Sequence, residues 1–273
     1  MLYVIATPIG NLGDITLRAL ETLRTVDVVL AEDTRHTLNL LRHYAIDKPL
    51  WSLHAFNEAK KEEGLINELK AGRTFALVSD AGTPGISDPG QRLIHRMRQE
   101  GLPLTTIPGP CALIAALTLS GFATDRFQFI GFLPKERREL HHALFSMLDY
   151  PATSIAYDSP HRIKKTLAHL VEIAPEARIA IAREITKRYE ELVAGSPSDL
   201  LSHFQDREVK GEIVLLTEPL PAQSAWSEMT PAEHVQHLIE TFQLTPQEAI
   251  KIASSLRGIP KRSLYSLRPK HHP

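Results

Sequence analysis

Leu77-Val78-Ser79-Asp80-Ala81-Gly82-Thr83-Pro84-Gly85-Ile86-Ser87-Asp88-Pro89-Gly90 holds more architectural information than any other stretch of the 273 residues. An apolar run over residues 74–78 stops in a loop of small residues, prolines and two aspartates, and a helical pattern follows over residues 91–99. A buried strand that ends in such a loop and continues into a helix is the repeating unit of α/β folds. Their ligands sit beyond the carboxyl ends of the strands. Gly82, Gly85 and Gly90 allow close approach to the main chain, and the prolines stiffen what the glycines loosen. The stretch therefore predicts a preformed pocket edge, with an ordinary surface loop as the alternative.

Working outward, residues 2–6 predict a buried first strand, followed by the turn-rich Thr7-Pro8-Ile9-Gly10-Asn11-Leu12-Gly13-Asp14 and a helix marked by Ile15, Leu17, Leu20 and Leu23. Gly10 and Gly13 do not make a dinucleotide-binding G-x-G-x-x-G, and no phosphate-binding P-loop occurs. Residues 27–31 predict a second strand, ending in Glu32-Asp33-Thr34-Arg35. Those four polar residues face a cleft, or Asp33 or Thr34 caps the helix through Leu38 and Leu41, and both can hold. Strands over residues 50–54, 74–79 and 104–107 alternate with helices, which implies a largely parallel sheet covered on both faces. Cys111 follows Pro108-Gly109-Pro110 at a helix start, where a thiol can be activated. No base is evident, and pocket wall or small buried residue is the simpler reading.

A hinge-like Gly121-Phe122-Ala123-Thr124-Asp125-Arg126 precedes a second α/β pattern whose short strands predict a mixed sheet. Pro219-Leu220-Pro221-Ala222-Gln223-Ser224 has linker composition, and only helical signals follow, over residues 231–242, 246–256 and 261–267. Thr230 and Thr245 each precede a proline and then a glutamate, a helix-start signature. The turn at Gly258-Ile259-Pro260 gives this end a helix-turn-helix character. The expected divisions are residues 1–120, 121–220 and 221–273.

Composition narrows the class further. The formal net charge is −1, so any anionic partner must be held by local basic clusters such as Lys135-Glu136-Arg137-Arg138 and His161-Arg162-Ile163-Lys164-Lys165. Each cluster alone is equally a solvated helix face. One cysteine rules out an internal disulfide framework. No run reaches the ~18 apolar residues of a membrane span, and the amino-terminal segment lacks signal-peptide character. These features predict a soluble cytoplasmic protein. The histidines lack metal-ligand spacing, so no metal is expected.

Three stretches together resemble a known family. Ala6-Thr7-Pro8-Ile9-Gly10-Asn11-Leu12, the Asp80 loop with Pro108-Gly109-Pro110-Cys111-Ala112, and Ala182-Arg183-Glu184-Ile185-Thr186-Lys187 with Lys210-Gly211-Glu212 are similar to the tetrapyrrole-methylase class of S-adenosylmethionine-dependent methyltransferases. The chain is most similar to the branch of that class that acts on ribosomal RNA. The resemblance implies two α/β domains with the cofactor between them, a homodimer, and methylation of a cytidine ribose 2′-hydroxyl in the decoding region of bacterial 16S rRNA, within the small ribosomal subunit. Cofactor contacts would fall on Pro8, Asp80, Ala81, Gly82, Thr83, Ile86, Ser87, Cys111, Ala112, Tyr157 and Ile185. A ribose hydroxyl needs an acceptor for its proton. The acidic candidates are Glu184, Asp33 and Glu32, with Arg35 and Lys187 as phosphate or hydroxyl binders; each is equally suited to a structural ion pair. The tetrapyrrole-specific Gly-Gly-Asp-Pro loop is missing, which argues against a porphyrin-like substrate.

Overall fold

A computed structural model describes residues 1–219, 229–242 and 244–265, with Thr241 and Tyr265 described by backbone alone. The chain forms two compact units. The first comprises Met1–Ala115 together with Glu184–Glu190, and the second Ala116–Arg183 and Glu191–Pro273.

The first unit alternates β1 (Leu2–Ile5), α1 (Leu17–Thr25), β2 (Val28–Ala31), α2 (Thr34–His43), β3 (Leu50–Ser52), α3 (Glu58–Lys70), β4 (Phe75–Val78), α4 (Gln91–Gln99) and β5 (Leu104–Ile107). Its five strands are all parallel, in the order β3-β2-β4-β1-β5. Alternation along each strand explains the apolar runs. Leu2, Val4, Phe75 and Leu77 pack with Leu65 of α3 and Leu93 of α4 on one face. Ile5, Ala76 and Val78 pack with Leu23 of α1 and Leu41 of α2 on the other. Strands covered on both faces lose the alternation of a half-exposed strand and become continuous hydrophobic segments. Next-door strands β1 and β4 send their chains in opposite directions, β1 toward β2 and β4 past β1 to β5. The two connections cross on opposite faces of the sheet, α1 on one and α4 on the other, which makes the β1 and β4 loops a topological switch point, where α/β sheets bind ligands.

Helix α5 (Ala112–Ser120) contains the boundary between the units. The second unit holds β6 (Phe127–Phe132), α6 (Arg137–Asp149), β7 (Thr153–Asp158), α7 (Ile163–Ile173), β8 (Ile179–Arg183), β9 (Glu191–Gly195), α8 (Pro197–Gln205) and β10 (Ile213–Thr217). The sheet order is β6-β7-β10-β8-β9, with β6 and β7 parallel and the other neighbours antiparallel. The sheet is mixed, as the short strands predict.

Helices α9 (Pro231–Phe242), α10 (Pro246–Arg257) and α11 (Lys261–Tyr265) follow. Thr245 and Glu248 form a reciprocal capping box, and Gly258 ends α10 in a left-handed conformation. Leu238, Phe242, Ile250 and Leu264 share one core with Leu144, Leu167 and Leu215. The linker residues 220–224 and the last two residues of the helix expected over 261–267 lie outside the described residues. Among the described residues no helix is long and apolar enough to cross a membrane.

Candidate active site

Four loops of the first unit are tied together at the carboxyl edge of its sheet. Thr7, just past β1, exchanges main-chain hydrogen bonds with Gly82, Thr7 N–H to Gly82 O at 2.9 Å and Gly82 N–H to Thr7 O at 3.0 Å. The Thr7 hydroxyl also donates to Ser79 O at 3.1 Å. Gly82 has φ 81°, and a Cβ there would lie 3.3 Å from Ile9 Cγ2, so the bridge requires a residue without a side chain. The Thr83 hydroxyl donates to Pro110 O at 3.2 Å, joining the β4 loop to the β5 loop. Asp80 Oδ1 accepts the Asp33 N–H at 3.1 Å, joining it to the β2 loop.

Asp33 also caps α2, accepting the Arg35 N–H at 2.8 Å, and its carboxylate pairs with the Arg35 guanidinium at 2.8 Å. The capping expectation for the stretch after β2 is thus met at Asp33. The Arg35 hydrogen bonds hold the Asp33 carboxyl down at about 2, which makes it a weak proton acceptor. Residues 184–190 return to this unit from far along the chain. Lys187 Nζ pairs with Glu184 Oε1 at 2.7 Å. The Lys187 stem lies over Gly10, where a Cβ would come within 2.3 Å of Lys187 Cγ. Glu184 and Thr186 take left-handed φ values of 52° and 67°, and Ile185 between them is buried.

Most of the expected cofactor contacts gather in this unit: Pro8 after β1, Asp80 to Thr83 with Ile86 and Ser87 after β4, Cys111 and Ala112 after β5, and Ile185 in the returning segment. Tyr157 belongs to the second unit, on β7, where its ring packs edge-on to Phe129 and Phe132.

Asp88 was not singled out from sequence. Burial, with Glu32 and Asp80 adding negative charge, pushes its carboxyl up to about 7, and Ser79 pulls the other way. Glu32 is raised as well, by burial first and Asp80 second. Ser87 immediately before Asp88 sits at φ 66°, a strained conformation for a residue with a side chain, and such strain concentrates at functional sites. The signal in the sequence was slight: an aspartate between serine and proline reads as a turn residue until the loop is folded against β2.

One further group has metal-ligand residue types among the described residues. His141 Nε2 and His169 Nδ1 meet at 3.2 Å in the second core, and Glu172 lies 3.6 Å from His169. Burial is the largest cause lowering both imidazole pKa values, with His169 adding to it at His141 and Glu172 opposing it at His169.

A model of the Tetrapyrrole (Corrin/Porphyrin) Methylases matches residues 1–201. The chain belongs to the tetrapyrrole methylase family. Curated relatives match beyond that region as well. Ribosomal RNA small subunit methyltransferase I of Halalkalibacterium halodurans is 42% identical over 271 residues, covering 97% of this chain and 93% of the relative. The protein of the same name from Escherichia coli O157:H7 is 42% identical over 268 residues, with 97% and 93% covered. Among solved structures, diphthine synthase superposes with a TM-score of 0.61 at 16% identity, over 80% of this chain and 89% of that one. Uroporphyrin-III-C-methyltransferase from Thermus thermophilus gives 0.55 at 20% identity, over 80% and 93%. At such identities the likeness concerns the fold, and the fold is that of the family.

The methyl donor S-adenosylmethionine carries a sulfonium and an ammonium against one carboxylate, a net positive charge. The loops of this tetrapyrrole methylase suit it: Glu32, Asp80 and Asp88 repel one another across β2 and β4, and a cation between them relieves that repulsion.

Proposed function

We propose that the chain methylates small-subunit ribosomal RNA with S-adenosylmethionine as donor, and that the acceptor is a cytidine ribose 2′-hydroxyl in the decoding region of 16S rRNA. The observation that carries this reading is the extent of the match. The family model ends at residue 201, whereas relatives named for ribosomal RNA align over 97% of the chain and so include most of the helical end. An enzyme for a small tetrapyrrole has no need of that end.

When bound, the donor supplies a methyl group on a sulfonium. The chain's own residues bind and orient the reactants and move one proton. Pro8, Asp80 to Thr83, Ile86, Ser87, Cys111, Ala112 and Ile185 would hold the donor from the first unit. Asp88 would accept the proton of the attacking hydroxyl, because a general base works best when its pKa lies near the working pH. Burial, the largest cause of that shift, keeps Asp88 in that range, with Glu32 and Asp80 adding to it. Lys187, fixed by Glu184, and Arg35, fixed by Asp33, would contact the RNA backbone. We propose the cytoplasm as the chain's site of action and 16S rRNA within the small subunit as the partner.

The direct test is tritium transfer from labelled S-adenosylmethionine to small ribosomal subunits from a strain lacking the gene, with nuclease mapping of the label. Label on a ribose 2′-oxygen in 16S rRNA is expected. Label on a tetrapyrrole in place of RNA would overturn the assignment.

We further propose a homodimer. The outermost strand β6 leaves Phe127 37% and Phe132 62% exposed, an aromatic edge of the kind that soluble proteins cover. Light scattering after gel filtration is expected to give twice the 30.5 kDa chain mass. A Phe132→Glu variant is expected to shift toward the monomer, and a wild-type monomer at micromolar concentration would refute the dimer.

A further inference from the structure

The loop between β3 and α3 is held unusually firmly for so short a connection. Leu53 is fully buried, and its N–H donates to Ala31 O at 2.7 Å. Asn57 Oδ1 accepts the His54 N–H at 2.9 Å, while Asn57 Nδ2 donates to Ser52 Oγ at 3.2 Å and to His54 Nε2 at 2.9 Å. Lys61 Nζ donates to Ser52 O at 2.7 Å, and the buried Glu58 carboxylate accepts the Leu93 N–H at the start of α4 at 3.0 Å. Because Asn57 Oδ1 is already fixed on a backbone N–H, its amide must be the donor to Nε2. The His54 ring proton is therefore on Nδ1.

At the apex of this pinned turn Phe56 is 99% exposed. The His54 ring lies edge-on to it at 6.2 Å between centroids. Single exposed apolar side chains are ordinary on protein surfaces. This one differs in its support and its address. The turn beneath it is tied by these hydrogen bonds, and it leaves the carboxyl end of β3, whose Ser52 pairs with Ala31 at the end of β2, directly before the loop that carries Glu32. Phe56 thus stands exposed at the carboxyl edge of the first sheet, on the loop next to the one that follows β2.

We propose that Phe56 is a stacking platform for an unpaired nucleobase of the RNA substrate, held in place by His54 and Asn57. The proposal rests on the functional reading above. Sequence-specific RNA recognition relies on splayed bases stacked on aromatic rings, and a platform set before binding avoids the cost of ordering it. Phenylalanine has no hydrogen-bonding group, so this contact reads the presence of a base rather than its identity.

The test compares wild type, Phe56→Ala and Phe56→Trp in tritium transfer to small subunits, with donor affinity measured separately by calorimetry. Phe56→Ala is expected to raise KM for the subunit about 10- to 100-fold, the worth of one stacked base. Its kcat and donor affinity should stay within twofold of wild type, and Phe56→Trp should restore KM. Because Phe56 buries nothing, the alanine variant should fold normally. An unchanged KM in Phe56→Ala, with wild type labelling RNA, would overturn the platform alone, as would equal impairment of the Ala and Trp variants. Failure of wild type to label RNA would overturn the functional reading and the platform together.

Discussion

Replacing Asp88 with Asn is expected to lower kcat for RNA methylation by about 10²- to 10⁴-fold, the usual worth of a positioned general base. The pH profile is the more discriminating measurement. Asp88 must be ionised to accept a proton, and in the free protein its carboxyl titrates at about 7. Wild-type kcat/KM should therefore fall about tenfold per pH unit below 7 and level off above it. In Asp88→Asn that limb should vanish along with most of the rate. Stability should move the other way. The folded chain holds the Asp88 proton up to about pH 7, whereas the unfolded chain loses it near the ordinary value of 3.8. Stability linked to this group is then present below 3.8 and is lost as pH rises through 7. Asp88→Asn should melt higher than wild type at pH 8, the pattern of a residue kept for function at a cost in stability. An Asp88→Asn protein with an unaltered acidic limb would place the base elsewhere, and Glu32 would be next.

Gly90→Ala should destabilise the chain by roughly 2–5 kcal/mol in urea unfolding. Two costs add. Gly90 begins α4 at φ 110°, ψ −13°, where a side chain is strained by about 1–2 kcal/mol. A Cβ there would also lie 2.5 Å from Leu77 Cδ2, and Leu77 is 1% exposed in a packed core, so overpacking adds about 1–3 kcal/mol. The comparison variant is Gly64→Ala in the middle of α3, with an ordinary helical environment and nothing within 4 Å of the new carbon. That change should stabilise by about 0.5–1 kcal/mol. If the two variants unfold at the same urea concentration, the packing of Gly90 on Leu77 is not as described.

The elements of the first sheet were legible because parallel strands covered on both faces leave long apolar runs, as in residues 2–6 and 74–78. The mixed second sheet was legible from its shorter strands. Strand order was not, since Leu2 pairs with both Phe75 and Leu104 at distances along the chain that no local pattern encodes. The site divided in the same way. Glycines, prolines and aspartates after a strand announced a pocket edge, but a tie such as Thr7 to Gly82 spans 75 residues (82 − 7) and leaves no periodic trace. Asp88 was passed over because its altered chemistry comes from burial and then from Glu32 and Asp80, all of them set only by folding. The left-handed backbone at Ser87 is equally silent, since serine is not a residue that advertises that conformation.

The return of residues 184–190 to the first unit bears on how the chain is made. Synthesis runs from the amino terminus, so the amino-terminal stretch of the first unit, all five strands included, has been made by Ala115. The segment whose Lys187 covers Gly10 is complete only at Glu190, 75 residues after Ala115 (190 − 115). At about 5–20 residues per second, roughly 4–15 seconds separate the two events. For that interval the nascent first unit has its five strands and the loops at their carboxyl ends but lacks the Glu184–Glu190 segment that completes it.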